Sequence, residues 1–301
     1  MMERMLRDIL WVSGPLTGAE LLERARMDVL PLWRECRRVP ALRRILFGRR
    51  YLRLDRAVDG YARLSPSIRR EFLTYTVLGL KEQATLAAKK AEDLRRAAAA
   101  ISQDKISLAR EVAVSALAEL NDDALAERFC FLIAGDVMYN MAHRVPRPEK
   151  STGEMVRGSD LDIVIVAADD LPPDAIQALD AAIYKKKHYL LVHPDCREEV
   201  DYLIKDFRRV REQTNFDTFE AMVACKIMDE SRLLYGSRSL FQQIKGLLHE
   251  RQVPQRLVHL EAAAVKERDE AEQALLAPEE RFSAEQHNHL FFTQEEGEEI
   301  Y

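Results

Sequence analysis

Two aspartates, Asp160 and Asp162, stand two residues apart at the head of an apolar run, Ile163-Val164-Ile165-Val166. Side chains alternate across a strand, so residues i and i+2 leave it on the same face. The run therefore reads as a strand with both carboxylates on one side and Leu161 and Ile163 on the packed side. Neighbouring carboxylates repel and are costly unless cations sit between them. Mg2+ suits such a place, being a hard ion content with one or two carboxylates, waters and phosphate oxygens. Two such ions, about 3.5–4 Å apart, clamp the attacking and leaving oxygens of a phosphoryl displacement. A third acid belongs on a neighbouring strand. Asp201, inside the apolar run Val200-Asp201-Tyr202-Leu203-Ile204, is the natural candidate, and Glu199 is the runner-up. The competing view is an ordinary turn, in which Asp160 caps a bend after Gly158-Ser159 and Asp162 faces solvent.

The surroundings predict an α+β fold. Residues 129–134 (FCFLIA), 189–192 (YLLV) and 200–204 (VDYLI) are further strand candidates. Residues 174–184 read as a helix opened by Pro172-Pro173. Short apolar runs alternating with helices indicate a small mixed sheet packed on helices. Only 7% of the 301 residues are aromatic, and 11 Gly and 11 Pro are few for an all-β chain. Long Ala/Leu/Glu/Arg stretches point to abundant helix instead.

Residues 1–128 read as a helical N-terminal region: short amphipathic helices to residue 60, a helix started by Ser65-Pro66, then helices over 81–101 and 107–120. The catalytic core is expected over 129–215. A C-terminal helical region follows over 216–301, with helices at 218–234, 239–249 and 254–276 and a loose acidic tail, TQEEGEEIY. The net charge of −5 gives no global basic field, so any nucleic-acid contact must come from a local patch. One is present: Arg34, Arg37, Arg38, Arg43, Arg44, Arg49, Arg50, Arg53 and Arg56, offset locally only by Glu35 and Asp55. It is either a helical surface paired with acids elsewhere or a phosphate-backbone contact. The four cysteines form no CxxC pair, and no apolar run approaches the ~20 residues of a membrane helix. A reduced, cytoplasmic protein with no membrane partner is the economical expectation.

At these residues the chain resembles the polymerase-β-like nucleotidyltransferase superfamily. Gly158-Ser159-Asp160-Leu161-Asp162-Ile163-Val164-Ile165-Val166 is similar to its strand signature, and Phe131-Leu132-Ile133-Ala134-Gly135-Asp136 to its upstream strand and glycine. Lys226-Ile227-Met228-Asp229-Glu230-Ser231-Arg232-Leu233-Leu234-Tyr235-Gly236 is similar to a helix and Leu-Tyr-Gly turn of several bacterial members. The likeness covers residues 129–240. It implies Asp160, Asp162 and Asp201 as catalytic metal ligands for Mg2+ or Mn2+. It also implies a nucleotide site at Gly135, Asp136, Gly158 and Ser159, joined by Arg157, which lies three residues before Asp160, and by the mid-helix Lys226. The substrate expected is a nucleoside triphosphate, in the first place ATP.

Two departures stand out. Asp136 occupies the place where the family has serine, and a carboxylate there repels a triphosphate unless it caps a helix over 137–143 or meets phosphate through a metal. The loop from Gly135 to Asp160 is also long, and carries His143, Arg144, Arg147, Lys150 and Arg157, which either clamp phosphates or decorate the surface. His188 and His193 lack metal spacing. The Lys185-Lys186-Lys187 run resembles a solvated helix end. The expected reaction moves a nucleoside monophosphate to an acceptor hydroxyl or phosphate and releases pyrophosphate, the acceptor being RNA, a protein or a small molecule. The rival from another class is a non-catalytic nucleotide-binding regulatory module.

Overall fold

Phe129–Ala134 is buried at all six positions and forms the strand expected of it, an inner one in its sheet. It belongs to the second of two units in the computed structural model, which describes residues 2–149, 151–277 and 290–291. One unit is built from the described residues up to Ala97 and from Leu260 onward, the other from Ala98–His259. The acidic tail and Lys150 lie outside the described residues.

The first unit contains α1 (Met2–Ser13), β1 (Leu16–Thr17), α2 (Gly18–Ala25), α3 (Val29–Arg38), β2 (Leu42–Leu46), β3 (Tyr51–Leu54), β4 (Ala62–Ser65), α4 (Ile68–Tyr75) and β5 (Thr76–Leu80). Its sheet has the order β1-β5-β2, antiparallel throughout, and β3-β4 is a separate hairpin. This corrects the purely helical expectation for residues 1–128. Arginine is a good helix former, but Leu42–Leu46 finds its partner at Thr76–Leu80, and tertiary pairing overrides local propensity. Ser65 ends β4, and α4 starts after Ser67, whose hydroxyl accepts from the Arg70 amide. The arginines here are largely engaged inside the unit: Arg50 grips Glu71 through two nitrogens and reaches Glu272, and Arg44 donates to the Cys36 carbonyl.

Helix α5 (Ala84–Ala118) is one helix of 35 residues rather than the two expected. After it come β6 (Phe129–Ala134), a 3-10 turn (Asp136–Tyr139), β7 (Pro146–Pro148), β8 (Met155–Arg157), β9 (Leu161–Ala167), α6 (Pro173–Val192), β10 (Val200–Asp206), α7 (Phe207–Gln213), α8 (Phe219–Glu230), β11 (Arg232–Gly236), α9 (Arg238–Glu250) and α10 (Val253–Leu276). The main sheet is mixed, in the order β10-β9-β6-β11: β10 and β9 are parallel and the other pairs antiparallel. Residues 189–192 are the last turn of α6, not a strand. A short apolar run does not distinguish the two by itself, and Leu179, Ile183 and Leu190 at helical spacing turn toward the core. The helix expected over 218–234 stops at Glu230, because Arg232–Gly236 pairs with β6.

Alternation decides which face of the sheet carries what. Phe131, Ile133, Leu161, Ile163, Ile165 and Val200 pack with Leu179 and Ile183 of α6 and with Ala109, Ala113 and Ala116 of α5. The residues between them on β9 and β10 include Asp162 and Asp201, which therefore leave the sheet on its other side.

Candidate active site

The start of β9, the start of β10 and the end of β6 meet at one edge of the sheet. In register, Asp162 pairs with Asp201 on one side and with Ala134 on the other. Strand β6 then ends at Gly135, with φ 77° and ψ −162°, a region essentially restricted to glycine. The reason for glycine is spatial as well: a Cβ there would lie 2.1 Å from Oδ2 of Asp162. The main chain thus passes directly against the carboxylate. Asp136 opens the 3-10 turn that follows, and Gly135 rather than Asp136 holds the position before it, so the expected helix over 137–143 is a single short turn without a side-chain cap.

Several carboxylates crowd this edge, and burial together with their mutual repulsion raises Asp160, Asp162 and Glu199. Asp162 is held well above the ordinary carboxylate range, first by burial and then by repulsion from Asp160, Asp201, Asp136 and Glu230. Asp160 keeps 36% of its side-chain exposure, but the protein hems it in elsewhere. Burial raises its pKa, Arg147 partly offsets this, and Asp136 and Asp201 add to it. Asp201 is half-exposed, with Oδ1 3.0 Å from the Lys187 ammonium. Glu199 is buried and also raised, chiefly by burial, with Arg147 opposing.

Two cations named in the sequence only as members of larger groups pair with acids at this edge. Arg147, from the β7–β8 hairpin, is buried, donates through Nε to the Gly158 carbonyl at 2.9 Å and lies 2.8 Å from Glu199 and 3.7 Å from Asp160. It was one of several loop cations, and only the hairpin singles it out. Lys187 belongs to the run read as a solvated helix end, yet it sits within α6, opposite Asp201.

The remaining sequence candidates divide. Gly158 (φ 74°) has no room for a Cβ, which would meet the His143 carbonyl at 1.8 Å. Ser159 donates its amide to that carbonyl and accepts the His143 amide on its hydroxyl, at 3.1 and 3.2 Å. The Gly-Ser pair thus fastens the loop beside the strand. Arg157 turns its guanidinium to the Asp195 carbonyl at 2.8 Å. Lys226 lies 2.6 Å from Glu230 and 5.8 Å from the Tyr139 ring centroid, and the Tyr139 hydroxyl donates to the same Glu230 carboxylate. This trio borders the 3-10 turn.

No family model, curated protein or solved structure matches the chain. Among the described residues, no three His, Cys, Asp or Glu side chains already converge as metal ligands; Asp160 faces Arg147 and Asp201 faces Lys187. The donor set nevertheless fits a hard divalent cation. Its donors are all carboxylate oxygens, and their mutual repulsion and burial leave the ionised cluster short of positive charge.

Proposed function

We propose that residues 98–259 catalyse metal-dependent nucleotidyl transfer: a nucleoside triphosphate, in the first place ATP, gives its nucleoside monophosphate to an acceptor hydroxyl or phosphate and releases pyrophosphate. The observation that carries this reading is the in-register pairing of Asp162 with Asp201, with the Gly135 main chain against the Asp162 carboxylate.

Asp160 and Asp162 would hold Mg2+ or Mn2+, and Asp201 would complete the ligand set. When bound, the metal neutralises charge on the phosphate oxygens. Asp201 is the most exposed of the three and would take the acceptor's proton. Gly135 leaves main chain rather than side chain beside the reacting phosphate, and Lys226, beside Tyr139, is the cation proposed to meet the triphosphate. Gly158 and Ser159 hold the loop that carries Arg147, which keeps Asp160 and Glu199 in place. Catalysis by such a set is positioning and charge neutralisation and needs no Cys or Ser nucleophile.

One observation favours the rival reading of a nucleotide-binding regulatory module. Asp136 adds a carboxylate to the turn and joins the repulsion felt by Asp160 and Asp162. A single experiment separates the two. The protein is incubated with labelled nucleotides, Mg2+ or Mn2+ and cell extract, and pyrophosphate release and the labelled fraction are measured. Pyrophosphate release by wild type but not by Asp162→Asn supports transfer, and the labelled fraction identifies the acceptor as RNA, protein or small molecule. Nucleotide binding without release supports the module.

A further inference from the structure

The first unit has an order of elements that transfer chemistry does not use. Helices α2 and α3 are joined by Arg26-Met27-Asp28: Arg26 ends α2 in the left-handed conformation and Asp28 precedes α3. A Thr17–Glu20 capping box fixes the start of α2. Strands β1 and β2 flank β5 in an antiparallel sheet beside the pair. Two helices on a three-residue turn match the connection of a helix–turn–helix, a motif whose second helix enters the DNA major groove.

Helix α3 has the dimensions and charge for that role. Its ten residues span about 15 Å. Leu32 and Cys36 are fully buried and anchor it to the unit, and Arg44 secures its carboxyl end through the Cys36 carbonyl at 2.6 Å. It carries Arg34, Arg37 and Arg38 against one acid, Glu35.

All three guanidinium groups end on oxygens from the carboxyl-terminal end of α10. Arg34 Nε donates to the Leu275 carbonyl at 2.6 Å, Arg38 Nη2 to the Leu276 carbonyl at 2.9 Å, and Arg37 Nη2 to Glu272 at 2.8 Å. Trp33, on the same side, meets Phe291 edge-on with centroids 5.8 Å apart. A helix carboxyl end carries partial negative charge, and with Glu272 it offers arginine the acceptor oxygens that a phosphate backbone offers.

We propose that α2–α3 is a helix–turn–helix for duplex DNA, and that the end of α10 covers the basic side of α3 in competition with it. Duplex DNA is favoured over duplex RNA because the A-form major groove is too deep and narrow for a helix, whereas that of B-DNA admits one.

The test uses the full chain and fluorescently labelled duplex DNA, followed by anisotropy against salt. Glu272→Gln should bind at least about tenfold tighter than wild type, the scale of one charged hydrogen bond removed from the competitor. Adding Arg37→Ala and Arg38→Ala should abolish the gain and lower the slope of log affinity against log salt by about two, one per lost phosphate contact. Because Glu272 also holds Arg50 and Arg268, a second measurement keeps its surroundings intact. Trp11→Phe, at a 70% exposed position, leaves Trp33 as the sole tryptophan. DNA should then shift Trp33 emission with the anisotropy midpoint, as Phe291 leaves. A folded Glu272→Gln protein without tighter binding, equal affinity for duplex RNA, or binding with unchanged Trp33 emission would each overturn the proposal.

Discussion

The Asp162 carboxylate occupies the space where a side chain on residue 135 would begin. A Cβ on Gly135 would stand 2.1 Å from Oδ2 and 3.2 Å from Cγ, so the strand end and the acid cannot both keep their places if residue 135 gains even a methyl group.

Gly135→Ala should therefore combine the strain of a glycine-only backbone region with displacement of Asp162. The expected cost is about 1–3 kcal/mol for the backbone alone, seen as a lower melting temperature. Nucleotidyl transfer should fall to background. A variant that melts with wild type and keeps full activity would show that the contact is slack.

Asp162→Asn should abolish transfer while leaving the metal-free fold level or more stable. The pH dependence has a definite sign. The folded-state pKa of Asp162 lies above its ordinary 3.8, so between that value and the raised one the native state binds more protons than the unfolded chain. Wild-type stability is then fully present below about 3.8 and falls as pH rises through the window. The advantage of Asn over Asp should grow from pH 4 toward neutrality, as read by urea denaturation in chelator. Because Asp160 repels the same charge, the transition belongs to the pair.

Arg147→Met should leave Glu199 buried without its counter-ion, at a cost of about 3–5 kcal/mol. Adding Glu199→Gln should recover much of that. A double-mutant cycle from denaturant melts measures the coupling; additive losses would mean that the 2.8 Å pair is incidental.

Arg50→Ala should destabilise the first unit by about 1.5–3 kcal/mol, since its guanidinium joins Glu71 to Glu272. Arg43→Ala, at an exposed strand position, should stay within about 0.5 kcal/mol of wild type. Equal melting of the two variants would contradict a scaffold role for Arg50.

What the sequence makes legible is what depends on neighbours a few residues away. Strand β6 has the bounds read from FCFLIA, and Asp201 lies beside Asp162 on the neighbouring strand as expected, although Asp160 stands one residue before β9 rather than on it. Strands β2 to β4 were hidden: their arginines favour helix locally, and the partners of β2 lie 30 to 38 residues on at β5, Leu42 opposite Leu80 and Leu46 opposite Thr76. Arg147 was hidden for a similar reason, because it is the β7–β8 pairing that carries it to Glu199. Strand β11 was absorbed into a helix because Arg232–Gly236 declares itself only by docking on β6. Lys187 looked like a solvated lysine until β10 supplied Asp201 opposite it.

The parallel pairing of β10 with β9 makes the site a matter of parity. Successive residues on a strand point to opposite sides, so sliding β10 by one position would not draw Asp201 slightly away from Asp162 but send it through to the α6 side, with Tyr202 or Val200 in its place. The segment between α6 and β10 thus counts residues for the carboxylate cluster. A change of chemistry at one of its positions is absorbed locally, whereas a single inserted or deleted residue that propagates into β10 exchanges an acidic edge for an apolar one. A change in length there leaves the cluster intact only where the loop can take up the difference.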